Sequence, residues 1–173
     1  MATILASVRA EDLSQVTPGK ERIPEAGILV IFGASGDLTK RKLLPALFHL
    51  RQNKLLPKEF AIVGVARRPL GDEFAADMRA GIVQFGGVDA SDPTLDEFVK
   101  HISYFPLNFD DPNSYAGLKA ELERIDKEKG LGGDRLFYLA TAPEFFSGIV
   151  EKDRKSTRLN SSHELKSRMP SSA

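Results

Sequence analysis

The sequence predicts an α/β fold built on a parallel sheet, and two features of the chain carry this prediction. Short uninterrupted apolar runs, typical of strands buried on both faces of a sheet, alternate with longer segments of helical period. Glycine and proline residues separate most of these segments from one another. Alternation of this kind favours parallel strands, right-handed crossovers and helices packed on the sheet.

The first strand is predicted at 28–32, and Gly33 follows it directly. From Leu38 to Leu50, apolar residues recur at the spacing of a helix's buried stripe. Pro45 lies inside this segment and has no amide proton, so we expect it to kink the helix or divide it.

The remaining elements continue the alternation to a fourth strand. In chain order, the pattern predicts a strand at 61–65, a helix at 72–83, a helix that begins at Pro93, a strand at 102–109, a helix at 111–129 and a strand at 136–140.

Composition and charge exclude several classes of protein. The 173 residues are 42% hydrophobic and 28% charged, with 24 basic and 24 acidic side chains and no cysteine. Without cysteine there is no disulfide scaffold, thiolate metal site or cysteine nucleophile, and we expect no metal. The zero net charge predicts neither nucleic acid nor membrane as a partner. With no secretory signal or apolar run of membrane-spanning length, we expect a cytoplasmic protein.

The main chemical feature is the turn after the first strand, Gly33-Ala34-Ser35-Gly36-Asp37. A strand that turns directly into a helix leaves free amides at the helix start, and these attract a phosphate together with the helix dipole. Glycine is needed where the backbone turns tightly or touches a pyrophosphate. Ser35 can donate a hydroxyl to the same anion, and Asp37 can cap the helix. A bare G-x-x-G fits a simple structural turn equally well, but its place in the first βαβ unit favours a dinucleotide site.

The end of the second strand carries Arg67 and Arg68. NAD-binding sheets tend to place an acid near this point for the ribose 2′-hydroxyl. A guanidinium instead pairs with a 2′-phosphate through two charge-assisted bonds and stacks on adenine. The arginine pair therefore favours NADP, and the alternative is a solvated pair on a loop.

The run GASGDLTKRKLLPALFHL, at 33–50, resembles the opening of the glucose-6-phosphate dehydrogenase family. VGVARR at 63–68, the triplet FDD at 109–111 and RLFYLA at 135–140 fit the same family in the same order. This resemblance implies a Rossmann-like doubly wound parallel sheet that is incomplete, with the C-terminal α+β catalytic domain missing from the chain.

The resemblance also implies the site residues. Arg67 would hold the 2′-phosphate of NADP, and Leu107 and Asn108 would border the adenosine. The stretch 140–143 would pass near the nicotinamide, where Phe146 lacks the hydroxyl of the family's tyrosine. The coenzyme phosphates would be wrapped by Gly33, Ala34, Ser35, Gly36, Asp37, Leu38, Thr39 and Lys40.

The implied reaction is hydride transfer from C1 of glucose 6-phosphate to NADP, which gives 6-phosphogluconolactone at the entry of the pentose phosphate pathway. The family's R-I-D-H-Y-L-G-K-E and E-K-P segments, which carry the histidine base and a substrate lysine, are absent from this sequence. We therefore assign no catalytic residue and expect this chain alone to be inactive, with a homo-oligomer at full length. The alternatives are a stand-alone nucleotide-binding module and another Rossmann reductase.

The chain divides into three segments. Residues 1–26 are polar and predict a flexible lead-in, and residues 27–152 form the truncated coenzyme-binding domain. Residues 153–173 lack any amphipathic period, and matching codons for 153–163 and 167–173 resemble the two ends of a sequencing adapter. We interpret this last segment as a non-native disordered tail and assign it no function.

Overall fold

The computed structural model describes residues 4–5 and 23–141, which form a five-stranded sheet with helices on both faces. None of the helices in these described ranges is long and apolar enough to cross a membrane. The strands are β1 (Ile4–Leu5), β2 (Ile28–Phe32), β3 (Ala61–Ala66), β4 (Ile102–Pro106) and β5 (Arg135–Leu139), and the helices are α1 (Leu44–Gln52), α2 (Glu73–Gly86), α3 (Pro93–Val99) and α4 (Pro112–Lys129).

The sheet order is β1-β5-β2-β3-β4, and β2 to β5 are all parallel. Among the parallel strands, the chain begins in the middle at β2, moves outward through β3 and β4, and then crosses to the other side of β2 at β5. The order of the strands therefore reverses between β2 and β5, as it does in doubly wound sheets. The predicted fold class, a Rossmann-like doubly wound parallel sheet, is confirmed.

Each face of the sheet is covered by its own apolar cluster. On one face, Tyr115 and Leu118 of α4 pack with Val30 and Phe32 of β2. On the opposite face, α1, α2 and α3 pack on the alternate strand positions, which include Ile31. Burial on both faces explains why β2 and β3 have continuous apolar sequences rather than alternating ones.

Two predicted element ends are wrong by three residues, for local reasons. The third strand ends at Pro106 instead of 109, because proline has no amide proton with which to continue the ladder. The second helix runs on to Gly86 instead of 83, since the left-handed residue that ends it is Gly87, with φ of +64°.

The first helical segment is not divided at Pro45, because Leu43 and Leu44 both have right-handed helical dihedrals and the segment changes from π-helix to α-helix just before the proline. Thr39–Leu43 form a single π-helical turn, and α1 begins at Leu44 with Pro45 in its first turn. The amide of Leu44 donates to the carbonyl of Thr39, so the proline removes a single amide from a continuous helical segment.

The two-residue strand β1 lies in the segment 1–26, for which no sequence pattern indicated regular structure. Ile4 pairs with Tyr138 and Leu5 with Phe137, in antiparallel orientation, on the edge of β5. An exposed parallel edge offers unpaired amides and carbonyls to any extended segment nearby. Apart from 4–5 and 23–26, the predicted lead-in lies outside the described residues, as does all of 153–173.

Gly64 in the middle of β3 permits the close approach of α2 to the sheet. A Cβ atom at this position would lie 2.4 Å from Cζ of Phe74 and 3.0 Å from Cβ of Ala34. Both neighbours are buried, so neither ring nor backbone has space to move away.

Gly64→Ala should therefore lower the free energy of unfolding by about 1–3 kcal/mol through overpacking. Urea denaturation measures the change. Gly117→Ala on α4 is the control, since its Cβ would have only Cζ of Phe105 nearby, at 3.2 Å. We expect that control to change stability by less than about 1 kcal/mol. Equal effects of the two substitutions would contradict the close packing of α2 on β3.

Candidate coenzyme-binding site

The turn predicted to bind phosphate lies at the point where the strand order reverses. It follows β2 directly, at the sheet edge where the carboxyl ends of β3, β4 and β5 also meet. Ligands of doubly wound sheets bind in the crevice outside this edge. The topology therefore places the glycine turn where a dinucleotide site is expected.

Gly33 is fixed by packing as well as by backbone conformation. Its φ is +80°, and a Cβ there would lie 2.7 Å from the carbonyl oxygen of Ala140 and 2.9 Å from Cγ2 of Thr141. The amides of Gly33 and Ala34 both donate to the carbonyl oxygen of Val65, at 2.8 and 3.2 Å. Gly33 thus lets the turn fit between the ends of β3 and β5.

The amides available to an anion lie further along the turn. Gly36 donates its amide to the carbonyl of Gly33 at 3.0 Å, and its own carbonyl accepts the first helical bond from Lys40 at 3.4 Å. The amides of residues 37–39 therefore have no acceptor within the helix. A Cβ on Gly36 would meet only the carbonyl oxygen of Gly33, at 3.1 Å, so that its outer side is open.

The capping role predicted for Asp37 is wrong. No side chain caps the start of the π-helical turn, and the carboxylate of Asp37 instead accepts a 3.0 Å hydrogen bond from Nη1 of Arg41. Leu38 is exposed, Ser35 is half-buried, and both lie on the same turn. The helix start thus keeps its uncapped amides, as an anion-binding terminus requires.

Thr39 and Lys40 are held against the protein interior and α2. Thr39 is fully buried, and its Oγ1 has no hydrogen-bond partner among the described residues. The Lys40 ammonium forms a salt bridge with Asp77, and the Lys40 side chain passes over Gly81, where a Cβ would lie 2.6 Å from its Cγ. In this conformation, the Lys40 charge is shared with α2.

The arginine pair lies beside the glycine turn. Arg67 and Arg68 are exposed and follow β3 directly, two and three residues after the Val65 carbonyl that holds the turn. The hydroxyl of Tyr104, on β4, donates to the carbonyl of Ala66 at 3.2 Å and contacts the carbonyl of Arg68. Burial raises the pKa of the Tyr104 phenol, an effect that Arg68 partly opposes, so the hydroxyl remains a proton donor at neutral pH.

Leu107 and Asn108 reach the same edge in different ways. The Leu107 amide donates to the carbonyl of Ala66 at 2.9 Å, but its side chain is only 1% exposed and packs in the core beneath α4. Asn108 is exposed, and its Oδ1 accepts from the Asp110 amide at 3.2 Å. The side chain of Asn108 is therefore available to a ligand at the surface, whereas Leu107 has only its backbone at this edge.

The fourth predicted contact region begins at the end of β5. The Ala140 amide donates to the Phe32 carbonyl at 2.8 Å, which ties this end to the start of the glycine turn. Thr141 is the last described residue, and its Oγ1 is buried without a hydrogen-bond partner among those described. The predicted stretch beyond it, with Pro143 and Phe146, lies outside the described residues.

Two contacts near the site have little or no sequence signal. Gly64, inside a strand, indicates a close approach, but the sequence does not say of what. The hydroxyl bonds of Tyr104 depend on the pairing of β4 with β3, which no local pattern reveals. Within the ranges 4–5 and 23–141, no group of three or more His, Asp or Glu residues is arranged to hold a metal ion.

These features together fit a dinucleotide phosphate better than they fit a purely structural turn. An uncapped helix start, an open Gly36 and two exposed guanidinium groups lie around one edge of the sheet. The donors are amides and cations, which are the groups that bind phosphate oxygens.

Comparison with known proteins agrees with this fold and with a nucleotide-binding domain. Residues 30–169 match the family model of the glucose-6-phosphate dehydrogenase NAD-binding domain. Glucose-6-phosphate 1-dehydrogenase of Chlamydia pneumoniae is 44% identical over 129 residues, which is 74% of this chain and 25% of that protein. The Bacillus subtilis protein of the same name is 42% identical over 129 residues, again 25% of its length.

The solved structures give the same result. A glucose-6-phosphate dehydrogenase in complex with its substrate glucose 6-phosphate superposes with a TM-score of 0.68 and 33% identity. The superposition covers 78% of this chain and 28% of that one. The chain therefore spans about a quarter of the length of the curated relatives it matches.

Proposed function

Since the chain belongs to the glucose-6-phosphate dehydrogenase family, we propose that it is the coenzyme-binding part of an enzyme that oxidises glucose 6-phosphate with NADP. One observation carries the coenzyme assignment. The glycine turn is hydrogen-bonded to Val65, two residues before Arg67, so a diphosphate at the turn and a 2′-phosphate at Arg67 would be neighbours.

The residues of this chain would bind and orient the coenzyme. The amides of 37–39 would hold the diphosphate, and Arg67 would pair with the 2′-phosphate. Asn108 would border the adenosine at the edge of the crevice. The bound NADP would accept a hydride from C1 of the sugar, and the product would be 6-phosphogluconolactone.

The groups that take the proton and bind the sugar belong to segments that this chain does not contain. Residues 27–152 would be the native coenzyme-binding unit, and 153–173 would be foreign to it, although the family-model match runs on to residue 169. The full-length protein would be a cytoplasmic homo-oligomer. Sequencing the source DNA beyond codon 152 tests the boundary, because an E-K-P segment should follow in place of the codons for 153–173.

A direct titration tests the binding proposal on this chain. We expect NADPH fluorescence to change on binding, with an affinity at least about tenfold higher than that of NADH, because a charge-assisted phosphate contact contributes about 1.5–3 kcal/mol. Adenosine 2′,5′-bisphosphate should displace NADPH more effectively than AMP does. Failure of the folded chain to bind either nicotinamide coenzyme would overturn the proposal.

A further inference from the structure

The loop that carries Arg67 is tied to the sheet by one side chain of the neighbouring strand. The hydroxyl of Tyr104 lies between the carbonyl of Ala66, at 3.2 Å, and that of Arg68. The two carbonyls belong to the residues on either side of Arg67. A phenol has one proton, which the two acceptors share.

Sheet hydrogen bonding does not extend to this loop. The last register pair between β3 and β4 is Ala66 with Pro106, and Pro106 has no amide proton to donate. The next amide, of Leu107, bonds back to Ala66 at 2.9 Å. The Arg68 carbonyl thus lies beyond the last hydrogen bond between β3 and β4, and the Tyr104 hydroxyl contacts it there.

The Tyr104 ring is itself held in place from two directions. It stands opposite Gly64 in the register of β4 with β3, and its ring centre is 4.8 Å from that of Phe74 on α2. Phe74 is 1% exposed and lies above Gly64, where no side chain interferes. The hydroxyl is therefore presented by a packed ring and does not depend on a flexible side chain.

We propose that the Tyr104 hydroxyl positions Arg67 and so sets the preference for NADP over NAD, an inference that rests on the proposed function. Arg67 lies at the start of the loop after β3, and its guanidinium must have a defined position to pair with the 2′-phosphate. Fixing the carbonyls on both sides of Arg67 restricts that loop before the coenzyme arrives. Pre-organisation of this kind lowers the entropy lost on binding. NAD has no 2′-phosphate, so its affinity should be independent of Tyr104.

Tyr104→Phe tests this, because it keeps the packed ring and removes only the hydroxyl. We expect the Kd for NADPH to rise about five- to tenfold, the equivalent of one lost hydrogen bond, while the Kd for NADH changes by less than about twofold. The control is Tyr138→Phe, on β5. Tyr138 is half-buried, and its hydroxyl makes none of the hydrogen bonds found among the described residues. That control should alter neither Kd.

Limited trypsin digestion of the coenzyme-free chain gives a second readout. Trypsin cuts after arginine but not before proline, so within the Arg67-Arg68-Pro69 stretch it cuts only the bond between the two arginines. In Tyr104→Phe this bond should be cut several-fold faster than in the wild type, because cleavage follows local opening of the loop. The Tyr138→Phe chain should be cut at the wild-type rate.

The outcomes separate the inference from the function on which it rests. If wild-type protein prefers NADPH but Tyr104→Phe matches it in both Kd values and in cleavage rate, the inference is wrong and the proposed function stands. Equal weakening of NADPH and NADH would also overturn the inference, since it would indicate general damage to the site. Absence of coenzyme binding by the wild type would overturn both.

Discussion

Gly36→Val is expected to raise the Kd for NADPH at least a hundredfold while the chain remains folded. In the structure, a Cβ on Gly36 meets only one neighbouring atom, the carbonyl oxygen of Gly33 at 3.1 Å, and the outer side of the residue is open. Valine would fill that open side with two methyl groups, at the place where the diphosphate must approach the amides of 37–39. Losing such contacts to a charged group costs about 3 kcal/mol or more.

Fluorescence titration measures the affinity, and urea denaturation checks the fold. Gly36→Ala is the graded control, because a single methyl group should weaken binding less than valine does. The free energy of unfolding should fall by no more than about 1 kcal/mol in either variant, since exposed positions tolerate substitution. Unchanged NADPH affinity in a folded Gly36→Val protein would refute the assignment of this turn to the coenzyme phosphates.

Arg67→Ala should remove the selectivity for NADP and leave the general affinity for nicotinamide coenzymes. We expect the Kd for NADPH to rise about 10- to 100-fold, because a guanidinium paired with a phosphate contributes about 1.5–3 kcal/mol. The Kd for NADH should change by less than about threefold, because the ribose 2′-hydroxyl has no charge to pair with.

The neighbouring Arg68 supplies a matched control of the same charge and exposure. Arg68→Ala should weaken NADPH binding less than Arg67→Ala does. Both titrations should be repeated at raised salt, which weakens exposed charge pairs. If the two variants lost the same affinity for NADPH, the phosphate would be held by net charge and not by one guanidinium. If NADH weakened as much as NADPH, the assignment of Arg67 to the 2′-phosphate would be wrong.

The strands were predictable from the sequence because the physical cause is local. A strand covered on both faces needs apolar residues at every position, and the runs 28–32 and 61–65 have them. The turn was equally visible, since positive φ and close packing both demand glycine at Gly33. The element ends at Pro106 and Gly87 needed only a stricter application of the same residue preferences.

Other parts of the site depend on contacts between distant segments. Asp37 can cap a helix in isolation, but in the fold its carboxylate pairs with Arg41. Leu107 borders the predicted site in sequence, yet burial beneath α4 turns its side chain away from the surface. The hydroxyl of Tyr104 bonds to the carbonyl of Arg68, 36 residues away in the chain, and this contact forms only when β4 pairs with β3. No periodicity within one segment encodes such pairings.

The start of the turn is bound to both neighbouring strands before any ligand arrives: Gly33 and Ala34 to β3, and Phe32 to Ala140 at the end of β5. The conformational entropy of this segment is therefore lost when the sheet assembles, and little of it remains to be lost when the coenzyme docks. Affinity then becomes tied to the integrity of the sheet. Detachment of β5 would release the glycine turn and so expel the coenzyme. Conversely, saturating coenzyme would slow the local opening of β5.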